Sequence, residues 1–259
     1  MSPTRWVARE LGAPLAGIAG LLGIWALLAA VTSTASIPSP AEVWRVVLDG
    51  VRDGTLLEAT WKTMVRLAAS FIVAIAIGTG LGAALALHEF TRRAIRPIVV
   101  ALQITPFVAW VPVAVVWFGM TERAVVFVAI VGAFPAMTLA TLQAFRQVPP
   151  LLDRAGRTLG ARGWERYRSV IFPAALPGYM AGLQQAWGFA WKALMAGELI
   201  VATAGASGLG HLLAAEQGNL PALLAALAVI VAIGVAVDYL VFGRLDRRIR
   251  GRRGLLPEG

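Results

Sequence analysis

Six long apolar runs, joined by polar segments, dominate this chain of 259 residues. Four of them contain no Asp, Glu, Lys or Arg, namely 12–31, 67–87, 98–118 and 124–145. Two others hold only isolated charges, namely 177–201 and 220–242. Each run reaches the roughly 20 residues that a helix needs to cross about 30 Å of hydrocarbon. The pattern predicts an all-α, polytopic membrane protein with six transmembrane helices, formed as a single transmembrane domain over residues 1–259.

The second and third runs carry residues that change how a helix packs or bends. Gly78 and Gly82 lie four positions apart, which permits close helix contact. We favour tight packing within the subunit over a dimer seam. In the third run, Pro106 and Pro112 should kink the helix, because proline removes a backbone donor. Gln103 and Thr105 just before the kink either line a passage or bond the freed backbone; the sequence does not choose between them.

The fifth run holds four polar residues: Gln184, Gln185, Lys192 and Glu198. Ionisable groups within a membrane are costly and normally face a bundle interior or a cavity. Six positions, about 600° of helix rotation, separate Lys192 from Glu198, so the two do not share a face. Each needs another partner or water, and we expect Glu198, near the outer end, to reach water. The candidate passage residues are Gln103, Thr105, Gln185, Lys192 and Glu198.

Composition narrows the class of function. Hydrophobic residues make up 58% of the chain and charged residues 14%, and no cysteine is present, which excludes disulfides and cysteine metal sites. Two histidines, His88 and His211, also exclude a histidine-rich metal site. Neither a hydrolase motif nor a phosphate-binding Walker A loop occurs, so we expect no enzyme activity, no catalytic residue and no bound cofactor or metal. The net charge of +9 is attributed to membrane topology rather than to nucleic-acid binding.

The distribution of basic residues predicts the orientation. With the N-terminus inside, 17 of the 23 Lys and Arg residues fall on inner segments. They are Arg5, Arg9, Arg92, Arg93, Arg96, Arg146, Arg154, Arg157, Arg162, Arg166, Arg168, Arg244, Arg247, Arg248, Arg250, Arg252 and Arg253. Since cytoplasmic loops carry the excess of Lys and Arg, both termini are predicted to be cytoplasmic. On the outer side, Ser39, Pro40 and Glu42 predict the start of a surface helix, and 204–211 a flexible loop.

The segment 146–173 is the longest charged connection, with six arginines between two spans. Good helix formers occupy 154–159, Gly160 suits a left-handed turn, and 164–170 predicts a second short helix that stops at Pro173. A segment this long and charged at one face of a membrane protein is more plausibly a docking surface than a linker. It is called the coupling loop below.

The coupling loop resembles a family signature: E-A-A, three residues, Gly, nine residues, then I-x-L-P. Here the signature begins at Arg154, Ala155 and Gly156, continues through Leu159 to Gly160, and ends at 170–173 with Phe172 and Pro173. It is similar to that of membrane subunits of bacterial binding-protein-dependent ABC importers. Further segments resemble the aliphatic sulfonate, taurine and nitrate branch: 37–44, Arg66 with 70–71, 111–112 with 117–119, 197–198 and 207–211.

This resemblance implies a type I ABC importer permease fold in the bacterial inner membrane. It implies a homodimer, two ATP-binding subunits that carry ATP and Mg, and an extracytoplasmic solute-binding protein. The implied solute is a small anion, sulfonate-like or else nitrate- or bicarbonate-like. Arg154 replaces the signature Glu, although Asp153 lies beside it, and Gly156 and Phe172 replace Ala and Leu. The alternative is an ion-coupled secondary transporter that uses Lys192 and Glu198.

Overall fold

The computed structural model describes residues 3–32, 37–201 and 207–251. Its helices are α1 (Pro3–Val31), α2 (Pro40–Arg52), α3 (Thr55–Leu87), α4 (Glu89–Ile104), α5 (Trp110–Phe118), α6 (Glu122–Arg146), α7 (Pro150–Thr158), α8 (Gly163–Arg166), α9 (Phe172–Ile200), α10 (Leu209–Ala215), α11 (Leu220–Val237) and α12 (Gly243–Gly251). A 3-10 turn covers Phe107–Ala109, and π turns cover Tyr167–Ile171 and Asp238–Phe242. Arg252, Arg253 and residues 204–206 of the predicted loop 204–211 lie outside the described residues, whereas Leu209, Gly210 and His211 of that loop belong to α10.

Helices occupy all six predicted runs. Three are long and apolar enough to cross a membrane, namely Thr55–Leu87, Glu122–Arg146 and Leu220–Ile249, and the pair α4 and α5 adds a fourth if it is one span. Helix α1 contains a shorter apolar stretch, Ala16–Val31. Helix α9 is more polar, but its 29 residues extend about 43 Å at 1.5 Å per residue. The described chain has no strand, so the all-α prediction is confirmed.

The third run departs from the predicted single kinked helix. Helices α4 and α5 meet at an angle of 93°, with the break at Thr105 and Pro106. A proline restricts the residue before it to an extended conformation, and Thr105 has φ −67° and ψ 126°. Pro112 causes no kink, because it lies in the first turn of α5, where backbone donors have no partner within the helix. The hydroxyl of Thr105 donates to the carbonyl of Ala101 at 2.8 Å.

The core consists of α3, α6 and α9, packed closely through small residues. A methyl group at Gly82 would lie 2.5 Å from the carbonyl oxygen of Thr138. One at Gly78 would lie 2.7 Å from Cβ of Met137. Both glycines of the second run therefore face α6 of the same chain, and the prediction of packing within the subunit is confirmed. On α9, Ala190 and Ala193 are fully buried and allow an equally close approach to α6.

Helix α2 begins as the sequence predicts. The hydroxyl of Ser39 accepts from the backbone N–H of Glu42 at 3.3 Å, and the Glu42 carboxylate accepts from Ser39 N–H at 2.8 Å. This reciprocal cap satisfies two donors at the helix start. The indole of Trp25 on α1 donates to the carbonyl of Pro38 at 3.1 Å, which connects the first helix to this segment. Trp44 and Trp61 are largely exposed, as expected for residues at a membrane interface.

Candidate functional site

The coupling loop forms a compact helical hairpin. Helix α7 ends in a Schellman motif, in which Ala161 N–H donates to the carbonyl of Gly156 at 2.9 Å and Gly160 N–H to that of Arg157 at 3.0 Å. Gly160 has φ +93°, a conformation that residues with a Cβ rarely adopt. The predicted left-handed turn at Gly160 is confirmed. Leu159, next to it, is 88% exposed and is the apolar tip of the hairpin.

The second half of the coupling loop does not stop at Pro173 as predicted. The chain remains helical from Gly163 to Ile200, passing through α8 and the π turn into α9. The π turn gives Phe172 N–H a bond to the carbonyl of Tyr167, five residues back. Pro173 lies directly after this π turn, whose wider hydrogen-bonded turn accommodates a residue that has no backbone donor. The coupling loop and the fifth span are therefore parts of one continuous rod.

Gly156, where the signature has alanine, faces Val170 across the hairpin. A methyl group at position 156 would lie 2.7 Å from Cγ2 of Val170, closer than real carbon contacts. The branched Val170 thus occupies the space that an alanine side chain would need. The departure at Gly156 has a packing cause within this chain.

The carboxylate of Asp153 braces the same hairpin. It accepts a short hydrogen bond from the guanidinium of Arg166 and forms an ion pair with Arg157 at 3.2 Å. The bond from Arg166, more than the nearby charge, holds the pKa of Asp153 below its usual range. Arg154 is exposed, and its side chain has no ion-pair partner among the described residues. Asp153 is thus engaged inside the loop, whereas Arg154, Ala155 and Leu159 form its outward surface.

Aromatic rings connect the coupling loop to the spans. Phe172 meets Phe145, at the end of α6, edge to face with ring centres 5.2 Å apart. It meets Trp164 of α8 in the same manner at 6.0 Å. Such aromatic pairs contribute more stabilising free energy than the burial of their surface area alone. The larger Phe172 in place of leucine therefore packs between two elements, while Pro173 beside it is exposed.

Glu198, a candidate passage residue, is fully buried, contrary to the expectation that it reaches water. Its carboxylate accepts from Arg66 Nη1 at 2.9 Å, from the Thr63 hydroxyl at 2.9 Å and from Gly210 N–H at 3.0 Å. Arg66 also donates to Glu122 at 2.5 Å and to the Ser207 carbonyl at 2.9 Å. These contacts, named the outer clamp, join α3, α6, α9 and the segment that leads into α10.

The sequence pattern does not predict the outer clamp. Arg66 was part of the family resemblance. Its position at the outer edge of the second apolar run was the one sequence feature that could have pointed to an ion pair there. Thr63 and Glu122 carried no signal, because a single hydroxyl and a single carboxylate at helix ends are ordinary features. Which groups meet depends on how α3, α6 and α9 pack, and the apolar pattern does not contain that information.

Lys192 and Gln185 lie on the opposite side of α9. Both are exposed in the single chain, together with Gly178 and Ala181. Seven positions, about 700°, separate Gln185 from Lys192, so they share a face about 10.5 Å apart along the axis. The prediction that Lys192 and Glu198 lie on different faces is confirmed. Among the described residues, Lys192 has no ion-pair partner in this single chain.

The remaining predicted passage residues lie elsewhere. The hydroxyl of Thr105 bonds the Ala101 carbonyl, which also accepts the Thr105 N–H, so the choice between passage lining and bonding of freed backbone stays open for this residue. Gln103 is partly buried near the end of α4, and its role stays a prediction. Gln184 donates to Asp238 at 2.7 Å and so gives the isolated charge of the sixth run a partner. This pair joins α9 to the π turn after α11.

Comparisons with known proteins place this architecture. The family model for "Binding-protein-dependent transport system inner membrane component" matches residues 74–251, more than half of the chain. The chain belongs to this family. The taurine transport system permease TauC of Escherichia coli is 29% identical over 255 residues, covering 95% of this chain and 91% of that protein. The bicarbonate transport system permease CmpB of Synechococcus elongatus is 29% identical over 241 residues, covering 88% and 86%.

A solved structure shows the same fold. The MetNI methionine ABC transporter, in an inward-facing conformation, aligns with a TM-score of 0.63 at 22% identity, covering 75% of this chain and 96% of that chain. The fold is that of a type I ABC importer permease, as the sequence resemblance implied. Family membership makes the chain a transmembrane permease subunit and not an enzyme. It also implies a separate ATPase and a solute-binding protein as partners.

Proposed function

We propose that this permease forms half of a homodimeric passage for a small anion, with an aliphatic sulfonate as the first choice of solute. The observation that carries the proposal is the face of α9 that presents Gln185 and Lys192 without a partner in the single chain. Lys192 lies 15 residues after Pro177, about 22 Å into the predicted span. A cation at that depth is costly unless it faces water, a counter-charge or a solute.

A second copy of the chain would enclose that face. Ala181 on the same side is small and permits close approach of another helix, while Gln185 and Lys192 provide polar groups between the two copies. Two lysines and two amides would then line one passage. Oligomers most often form about a two-fold axis, which brings the same patch of each copy together.

The solute class follows from charge and from the relatives. A lysine ammonium attracts an anion, and an amide can hydrogen-bond its oxygens. TauC belongs to a taurine system and CmpB to a bicarbonate system, and both solutes carry an anionic group of oxygens. The sulfonate choice over nitrate or bicarbonate rests on the sequence resemblance.

Two ATP-binding subunits, which would carry ATP and Mg, dock on the coupling loops in this proposal. Leu159 and the exposed surface of α7 enter a groove of the ATPase, whereas Gly156, Gly160 and Asp153 keep the hairpin rigid. The excess of basic residues on the same side as the coupling loop supports a cytoplasmic placement of that loop and of both termini in a bacterial inner membrane. Closure of the ATPases on ATP would then switch the passage between two faces of the membrane.

An ion-coupled carrier based on Lys192 and Glu198 is not favoured. The two groups lie on different faces of α9, and Glu198 already accepts bonds from Arg66, Thr63 and Gly210. A carboxylate engaged in this way has little capacity left for a transported ion.

The test is uptake of radiolabelled taurine or an alkanesulfonate into proteoliposomes that hold the permease, its ATPase and its binding protein. We expect uptake to require ATP, and Lys192→Met to reduce it at least tenfold while Lys192→Arg retains most of it. Lys62→Met is the matched control, because Lys62 is the only other lysine and forms a surface ion pair with Glu58. Uptake driven by an ion gradient alone, or normal anion uptake by Lys192→Met, would contradict the proposal.

A further inference from the structure

A groove of about 450 Å³ lies where the membrane helices meet the coupling loop. Its apolar wall is formed by Ala83 and Ala86 in the last turns of α3 and by Phe145 and Phe172. Arg146, the last residue of α6, lies at the polar side of the groove. The groove therefore offers an apolar wall beside a cation.

Positive charge accumulates beside this groove. Arg92, Arg93 and Arg96 lie in the first two turns of α4, which begins two residues after Leu87, a residue of the groove wall, and Arg146 is close enough to Arg92 for their charges to interact. Glu89 forms ion pairs with Arg92 and with Arg93, the latter at 2.8 Å. Four guanidinium groups against one carboxylate leave a net charge of +3. Arg96 and Arg146 have no ion-pair partner within the described part of the chain.

We propose that this groove binds one anionic phospholipid, with an acyl chain against Ala83, Ala86 and Phe145 and the phosphate at Arg146, near the positive charge of Arg92. Basic pockets between membrane helices on the cytoplasmic side are suited to anionic headgroups. Trp164 also lines the groove, and tryptophan is enriched at the headgroup level of a bilayer. The inference rests on the proposed cytoplasmic placement of the coupling loop, but not on the identity of the solute.

The position of the groove argues against the ATPase as its occupant. Residues of α8, the π turn and the spans line it, whereas no residue of α7 does. The exposed tip at Leu159, which we assign to the ATPase, belongs to the other half of the hairpin. A lipid in the groove would contact both α3 and α8 and would so stabilise the coupling loop against the spans.

The test uses the complete transporter, purified with its ATPase in mild detergent, and native mass spectrometry during titration with dioleoyl phosphatidylglycerol or dioleoyl phosphatidylcholine. We expect the phosphatidylglycerol to be retained at least about tenfold more strongly than the phosphatidylcholine. Arg92→Gln together with Arg146→Gln should weaken it about 30-fold, since each basic residue near a headgroup contributes about fivefold. The control Arg45→Gln with Arg123→Gln removes two exposed outer arginines and should have no effect.

A second variant tests the apolar half. Ala86→Trp fills the groove and should abolish retention with all arginines present, whereas Ala76→Trp on the exposed side of α3 should not. Equal retention of both lipids, or no change in either groove variant, would overturn the proposal. Displacement by millimolar inorganic phosphate would indicate a free-phosphate site instead, and lipid retained by the permease alone but not by the complete transporter would assign the groove to the ATPase. Because the readout is lipid retention, it stands apart from the uptake assay.

Discussion

The outer clamp makes a quantitative prediction about stability. Glu198→Ala removes the carboxylate that accepts from Arg66, Thr63 and Gly210, and it leaves the Arg66 side chain, 7% exposed, with fewer partners. Breaking a buried ion pair by removing one member costs about 3–5 kcal/mol. We expect about 3 kcal/mol, the lower end, because Glu122 and the Ser207 carbonyl still bond Arg66.

The assay is thermal unfolding of the detergent-solubilised permease, followed by size-exclusion fluorescence. A loss of about 3 kcal/mol corresponds to a fall in Tm of about 6–12 °C for a chain of this size. Asp49→Ala is the matched control, because it removes a carboxylate from an exposed outer ion pair with Arg52, worth less than about 1 kcal/mol.

A double variant separates the clamp from a general effect of the substitution. Arg66→Met with Glu198→Met replaces the pair by apolar side chains and should recover much of the lost stability, since buried pairs often tolerate that exchange. If Glu198→Ala unfolds within about 2 °C of the wild type, the clamp contributes little and the reasoning fails. A double variant no more stable than the single one would show that the two residues do not act as a pair.

Two further predictions concern the coupling loop. Gly160→Val should cost about 1–3 kcal/mol locally, because φ is +93°, and should reduce both ATPase co-purification and ATP-dependent uptake, whereas Gly160→Asn should retain both. Normal co-purification of the ATPase with Gly160→Val would show that ATPase binding does not need the left-handed turn at Gly160. Gly156→Ala should lower Tm in the native chain, since its methyl group meets Val170, but raise it in a Val170→Ala background, where alanine gains about 1 kcal/mol of helix propensity. An effect of the same sign in both backgrounds would refute the packing explanation.

The sequence predicted the features that depend on local chemistry. Apolar runs gave the spans, Ser39 with Glu42 gave the start of α2, and Gly160 gave the left-handed turn, because each of these depends on a few neighbouring residues. Pro106 was recognised as a break, but the 93° angle was not, since the angle depends on what α4 and α5 pack against.

Contacts between distant segments were not predictable in the same way. Glu198 was expected to reach water because its depth along the helix was known but its facing direction was not. The end of the second loop helix was placed at Pro173, although the helix continues through this proline because the π turn before it accommodates the missing donor. For Gly156, the reason for the departure from the signature lies 14 residues away at Val170.

Because the coupling loop continues as a helix into α9, a movement of the loop can be transmitted along the fifth span. Lys192 lies 20 residues beyond Phe172, about 30 Å along the axis. A tilt of about 10° at the coupling loop would therefore move Lys192 sideways by about 5 Å, a displacement comparable to the size of a small anion. In the proposed assembly, no loop separates the ATPase docking site from Lys192, and the stiffness of the helix at the π turn and at Pro177 determines how much of the tilt reaches Lys192.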